Sequence, residues 1–317
     1  MGKHDMAAYE YLSQAEYFAD LFNAKFFDGR PIVDGRKLLE ADSRVRGNEN
    51  VQYRDIIKRL PNGERFVVLA IENQDNIDYE MPWRIMGYDY AEYARQIREI
   101  RRRKVRENKQ AGAKITRLEA KLGAQDKLSP VWTICFYHGK EPWTGPRSLK
   151  DMMDLGEFPA AFSDYHMHLV SADDDGLAEN CNTHLGLLLR VLSARGDRKQ
   201  LEALKNSGEF HNIDEETSRA IAKLADMPKL LERVEKGEQE PEGGYDMCAA
   251  IDEMMEDSRE EGREEGREEG REEGREEGKD KVNRLVALLM QNNRLDDLLR
   301  STEDKCYQQQ LFAELGI

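Results

Sequence analysis

Residues 51–60 (VQYRDIIKRL) and 65–72 (RFVVLAIE) flank Pro61-Asn62-Gly63-Glu64. Both flanks are rich in β-branched and aromatic residues, and the Pro-Asn-Gly run between them is a strong turn signal. The segment reads as a β-hairpin, the clearest in the chain. Pairing Leu60 with Arg65 across the turn sets Asp55 opposite Ala70. Directly opposed residues share a face, as do residues two apart on one strand. Asp55, Ala70, Glu72 and Gln74 then point to one side of the sheet, with Glu72 a diagonal neighbour of Asp55. A slip of one residue would separate the two acids.

Two carboxylates converging at the end of a mostly apolar hairpin are costly unless a cation lies between them. Hard divalent ions such as Mg²⁺ take oxygen ligands of this kind. Such an ion lowers the pKa of a bound water and stabilises charge developing on a phosphodiester. The ordinary alternative is a pair of surface acids with no ligand role.

Working outward, residues 6–27 read as one helix, with Tyr11, Ala15, Phe18, Phe22 and Phe26 spaced by three or four and Gly29 as a stop. After the polar stretch Asn73–Glu80, Pro82 can open a helix at its first turn. Trp83, Met86, Tyr90, Tyr93, Ile97 and Ile100 then recur at helical spacing, which predicts an amphipathic helix running on into a basic segment. Residues 131–137 (VWTICFY) form another apolar strand between Pro130 and Gly139. The order helix, hairpin, long helix, strand indicates an α/β or α+β domain ending near residue 165. Beyond residue 175 the strand signals cease. Leu185–Leu192, Leu201–Leu204, Ile221–Val234 and Leu285–Met290 read as helices.

Residues 259–278 are five consecutive copies of Arg-Glu-Glu-Gly. A period of four drifts around a helix, so no face is maintained. Glycine costs about 1 kcal/mol in a helix relative to alanine. The repeat therefore reads as a solvated, weakly helical spacer, about 30 Å long if helical throughout. The competing use of the glycine row is close helix approach in a homo-oligomer.

The whole chain has 317 residues and a net charge of -15. That charge is unevenly placed: residues 1–170 sum to +1 and residues 171–317 to -16. Residues 95–127 carry 12 basic and 4 acidic side chains. The basic run Arg98, Arg101, Arg102, Arg103, Lys104 and Arg106 could grip a phosphate backbone, despite the acidic total. Cys135, Cys181, Cys248 and Cys306 lie far apart with no C-x-x-C pair, which argues against a zinc site and for free thiols. No apolar run is long enough to span a membrane, and the N-terminus lacks the apolar stretch of a signal peptide, so the expected location is cytoplasmic. No phosphate-binding G-x-x-x-x-G-K-[ST] motif occurs.

Several of these residues also recur as co-linear motifs. They are Ala19-Asp20-Leu21-Phe22-Asn23, Phe27-Asp28-Gly29-Arg30, Arg54-Asp55, Ile71-Glu72-Asn73-Gln74 and Met81-Pro82…Arg84…Tyr88-Asp89. Tyr137-His138-Gly139 and Pro142-Trp143-Thr144-Gly145-Pro146-Arg147-Ser148-Leu149 follow. Over residues 15–240 the chain resembles the Rpn family of recombination-promoting nucleases, often labelled transposases, within the PD-(D/E)XK nuclease superfamily. The resemblance implies a restriction-endonuclease-like core, a mixed sheet flanked by helices, followed by a mostly helical C-terminal region. With the element order and composition, the chain reads as a nuclease-like core (1–165), a helical extension (166–240), an acidic linker with the repeats (241–280) and a C-terminal helical segment (281–317).

The resemblance further implies that Asp55 and Glu72 bind Mg²⁺ or another divalent ion and that Asp20, on the first helix, completes the metal site, with Glu40 as a weaker match. Gln74 stands where the superfamily usually has lysine, so it can orient a water by hydrogen bonds but carries no charge. The expected function is metal-dependent endonuclease action on DNA in recombination, mobile-element biology or defence. The alternative is a DNA-binding or oligomeric scaffold that keeps the fold without the activity, and Gln74 is what keeps that alternative open.

Overall fold

The computed structural model describes residues 2–41, 44–46, 51–53, 55–63, 65–116, 118–157, 161–241 and 243–317. Arg54 and Glu64 of the hairpin reading lie outside the described residues.

Two helices open the chain, α1 (Lys3–Leu12) and α2 (Ala15–Phe27). The single helix expected over residues 6–27 is divided because Gln14 takes an extended conformation (φ −67°, ψ 133°). That break lets Tyr11 stack on Tyr17 with ring centroids 4.0 Å apart. Both hydroxyls lie within hydrogen-bond reach of buried Thr217 Oγ1.

Next come β1 (Leu39–Glu40), β2 (Arg44–Arg46), β3 (Val51–Tyr53), β4 (Ile56–Asn62) and β5 (Arg65–Gln74). The stretch 51–60 thus supplies two strands, not one. β3 pairs with β2 in a small separate sheet, whereas β4 pairs with β5 in the main sheet. Asp55 sits at the junction where the chain passes from one sheet to the other.

The hairpin register is offset by two from the expectation. Asn62 pairs with Arg65 and Ile56 with Ile71, so Pro61 and Asn62 belong to β4 and Gly63 follows its end. Gly63 has φ +61°, a left-handed conformation that glycine adopts without steric cost. An offset of two preserves which side chains share a face.

The chain continues through α3 (Met81–Gln110), β6 (Val131–Tyr137) and β7 (His168–Ser171). The five-stranded sheet has the order β1-β4-β5-β6-β7. β1–β4 and β4–β5 pair antiparallel, while β5–β6 and β6–β7 pair parallel. Central strands covered on both faces need nearly continuous apolar runs, as residues 65–72 and 131–137 provide.

On one face, Leu69, Ile71, Ile134 and Phe136 pack with Phe18, Leu21 and Phe22 of α2. The same core takes in α4 (Leu185–Ser193), α5 (Arg198–Asn206), α6 (Glu215–Leu224) and α7 (Pro228–Lys236). It runs without interruption from Ala7 to Ile251, across residue 165. The helix expected over Ile221–Val234 is broken at Asp226, which has φ +54°. On the other face, Met81 and Ile85 of α3 cover Cys135 and Tyr137, and Tyr93 lies against Val68 and Ala70.

The expected inward stripe of α3 is only partly inward. Trp83 and Tyr90 are 50% and 73% exposed, while the buried face carries Ile85, Tyr88, Asp89, Glu92 and Gln96. These polar groups are engaged beneath the helix. Asp89 accepts from Thr133 Oγ1 at 2.7 Å and from the Tyr165 hydroxyl at 2.5 Å, and Gln96 bonds both the N–H and the carbonyl of Ser129. Buried polar groups of this kind are costly unless so paired.

The chain divides into two compact units, Met1–Met255 and Glu256–Ile317. The Arg-Glu-Glu-Gly copies lie within one continuous helix, α8 (Cys248–Gln291), with the repeat arginines exposed. The second unit ends in α9 (Leu295–Glu303) and α10 (Lys305–Leu315), packed around Leu285, Leu289 and Leu311. Among the described residues no helix is long and apolar enough to cross a membrane.

Candidate active site

The last residues of β5 alternate across the sheet. Ile71 and Asn73 face the α2 side, and Glu72 and Gln74 face the α3 side. Continuing the β4–β5 register by one residue sets Asp55 directly across from Glu72. The Asn73 backbone N–H holds Asp55 in place, donating to Oδ2 at 2.8 Å. Glu72 is 1% exposed, beside Cys135 of β6. Asp55 and Glu72 thus flank one point of β5, Asp55 bonded to the N–H of Asn73 next to Glu72, with Gln74 two residues along the Glu72 face.

Burial raises the Asp55 pKa above the ordinary carboxylate range. The charge of Asp5 raises it further, against the lowering effect of the Asn73 N–H and Arg84. Arg84, one turn into α3, places Nη2 3.8 Å from Glu72 Oε2 and Nη1 2.5 Å from Asp78 Oδ2. Burial opposes the Arg84 charge, but Tyr88, Asp78 and Glu72 outweigh it and hold its pKa above the ordinary guanidinium value. The site therefore combines buried Glu72 with half-buried Asp55 and the half-buried cation Arg84.

Asp20 is not part of this cluster. It lies on α2, among residues that pack on the opposite face of the sheet. Its carboxylate accepts from the backbone N–H groups of Asn182 and Thr183 and from Thr183 Oγ1, at 2.6–3.0 Å. These bonds tie α2 to the turn before α4 and occupy the acceptor capacity that a metal would need. Glu40 is engaged by Lys58 on β4.

The first-helix acid near Asp55 is instead Asp5, on α1. Its Oδ1 lies 3.6 Å from Nε2 of fully buried His138, whose Nδ1 is 3.7 Å from Asp75 Oδ1. His138, before all other causes, lowers the Asp5 pKa. His4 continues this chain of groups, 3.1 Å from Asp75 and 3.0 Å from Asp226. The turn after β6 is closed tightly enough that a side chain at Gly139 would strike the Asp75 carbonyl. No local sequence spacing signals Asp5, because α1 meets β5 only through the tertiary fold.

The basic run occupies the far half of α3. Arg98, Arg102, Arg103 and Arg106 are exposed, with Arg102, Arg103 and Arg106 bordering a groove of about 920 Å³ beside Phe66 and Lys127. Arg101 and Lys104 are half-buried, and Lys104 and Arg103 both meet Asp126. At 1.5 Å per residue, Arg101 lies about 25 Å along the helix from Arg84. The basic end thus neighbours the hairpin tip, away from the carboxylates.

Asp55, Glu72 and Gln74 offer only oxygen donors toward the cluster, apart from the Gln74 amide N–H₂, and a hard divalent ion suits that donor set. A mixed sheet between helical layers, with paired acids at the end of a central strand, defines an α/β protein with a restriction-endonuclease-like core. Residues 3–220 match the family described as "Putative transposase, YhgA-like", and the chain belongs to that family, whose description is one of mobile-element function. No curated protein and no solved structure matches the chain.

Proposed function

We propose that the first unit is a metal-dependent DNA endonuclease, with Asp55 and Glu72 holding Mg²⁺ or a similar ion. The observation that carries this reading is the β4–β5 register. Extended by one residue past Ile56–Ile71, it would set Asp55 across from Glu72, 17 positions on in the chain, with Gln74 two residues beyond. When bound, a divalent ion supplies an activated water and stabilises charge on the phosphodiester.

The chain's own residues do the rest. Gln74 orients the water through its amide and cannot stabilise charge as a lysine would. Arg84 is the nearby cation, and its position beside Glu72 supplies positive charge that Gln74 lacks. Arg98, Arg102 and Arg106, about 21–33 Å from Arg84 along α3, would neutralise phosphates about six to ten base pairs from the cut, at about 3.4 Å per pair. Asp126 already offsets part of the Arg103 and Lys104 charge.

Plasmid nicking by wild type, Asp55→Ala and Glu72→Ala in Mg²⁺, Mn²⁺, Ca²⁺ or EDTA tests the reading. Nicking should require Mg²⁺ or Mn²⁺ and fall by roughly a hundredfold or more in either variant, about 3 kcal/mol of barrier. Metal-independent nicking, or nicking unchanged in both variants, refutes it. DNA binding without any nicking would favour the scaffold reading, for which the uncharged Gln74 is the specific observation.

A further inference from the structure

A second cluster of metal-ligating side chains lies far from Asp55 in the sequence and has different chemistry. His211, Asp246 and Cys248 each offer a donor atom, and these atoms all lie within 4.8 Å of one another. Among the described residues this is the group of three or more such donors that comes together.

The backbone holds these side chains firmly. Ile213 and Tyr245 form an antiparallel bridge, with N–H to O distances of 3.2 and 3.0 Å, and the Met247 N–H donates to the Phe210 carbonyl at 2.9 Å. Phe210, Ile213, Tyr245 and Met247 are all fully buried in the main core. Alternation between buried Tyr245 and Met247 turns Asp246 outward, and His211 lies exposed between buried Phe210 and Ile213. The Asp246 carbonyl is also held by Arg233 at 3.1 Å, and its Oδ1 accepts from the Cys248 N–H at 2.7 Å.

The spacing fits a small tetrahedral ion. His211 Nδ1 lies 3.2 Å from Asp246 Oδ2 and 3.7 Å from Cys248 Sγ. Ligand bonds of about 2.0 Å for nitrogen and oxygen and about 2.3 Å for sulfur imply tetrahedral edges of roughly 3.3–3.6 Å. The imidazole, thiolate and carboxylate set is the borderline-soft mixture that zinc prefers and Mg²⁺ does not.

We propose that His211, Asp246 and Cys248 form a zinc site with a fourth position open to solvent, fastening the first turn of α8 to the segment between α5 and α6. His211 binds as the neutral imidazole. The Cys248 thiol gives up its proton to solvent as the sulfur–metal bond forms, and water fills the remaining position. The site does not depend on the nuclease reading.

The test uses the full chain, stripped of metal and titrated with Zn²⁺ and, separately, Co²⁺. One equivalent of Zn²⁺ should bind in wild type and in the Asp55→Ala/Glu72→Ala variant. Affinity should fall at least tenfold in His211→Ala and in Cys248→Ser. Co²⁺ should give a thiolate charge-transfer absorption that Cys248→Ser abolishes. On wild type alone, Zn²⁺ should slow alkylation of Cys248, read by mass spectrometry, relative to Cys306. No stoichiometric Zn²⁺, no thiolate absorption, or binding equal in wild type and both single variants overturns the proposal.

Discussion

Asp20 and Asp55 are aspartates on opposite faces of one sheet, and their surroundings could hardly differ more. Asp20 accepts two backbone N–H groups and a threonine hydroxyl, all closing the turn before α4. Asp55 accepts the N–H of Asn73, the residue next to buried Glu72. A carboxylate saturated by short hydrogen bonds is part of the scaffold. One that is desolvated and raised in pKa beside a second carboxylate is a candidate for chemistry.

Removing each acid should break that contrast in opposite directions. Asp20→Ala removes the acceptor of the part-buried Asn182 and Thr183 N–H groups and should destabilise the first unit by about 1–3 kcal/mol. Chemical denaturation measures this, and a loss under about 1 kcal/mol would remove Asp20 from the scaffold. Asp55→Asn should instead raise the metal-free melting temperature at neutral pH by roughly 1–3 °C, because it removes a charge that burial disfavours.

The sign of the pH dependence follows from the direction of the shift. The folded pKa of Asp55 lies above its unfolded value. Its contribution to stability is therefore fully present below the unfolded pKa of about 3.9 and lost as pH rises through the folded one. The advantage of Asp55→Asn over wild type should vanish below about pH 4. An advantage independent of pH would point to repacking instead of charge. A smaller effect lies at the far end of α3. Arg102→Ser and Arg106→Ser should each reduce the slope of log affinity for DNA against log salt by about 0.9, whereas Arg103→Ser should do less because Asp126 already faces it.

The hairpin was legible because β-branched runs around a glycine turn leave few alternatives. Its expected register was off by two, since Pro61 and Asn62 continue β4 instead of forming the loop. Face assignment survived, because only odd slips exchange faces. The helical stripe of α3 misled for a physical reason. Its inner face serves hydrogen bonds to Thr133, Ser129 and Tyr165, so apolar Trp83 and polar Asp89 occupy the places that hydropathy would exchange.

Asp20 matched a motif, yet the motif residue caps a turn. Asp5 carries no motif and reaches the site only because α1 packs on β5. The His211, Asp246 and Cys248 group escaped spacing rules for a similar reason. Its ligands come from segments 35 residues apart that a single β-bridge joins, and one of them is a carboxylate that cysteine arithmetic does not count.

If Asp55 and Glu72 share one divalent cation, crystals soaked in Mn²⁺ and measured at an anomalous wavelength should show it. One anomalous peak is expected within about 2.5 Å of a carboxylate oxygen from each of the two residues, lost in Glu72→Gln. No peak there in wild type, with Arg84 still beside Glu72, would contradict it.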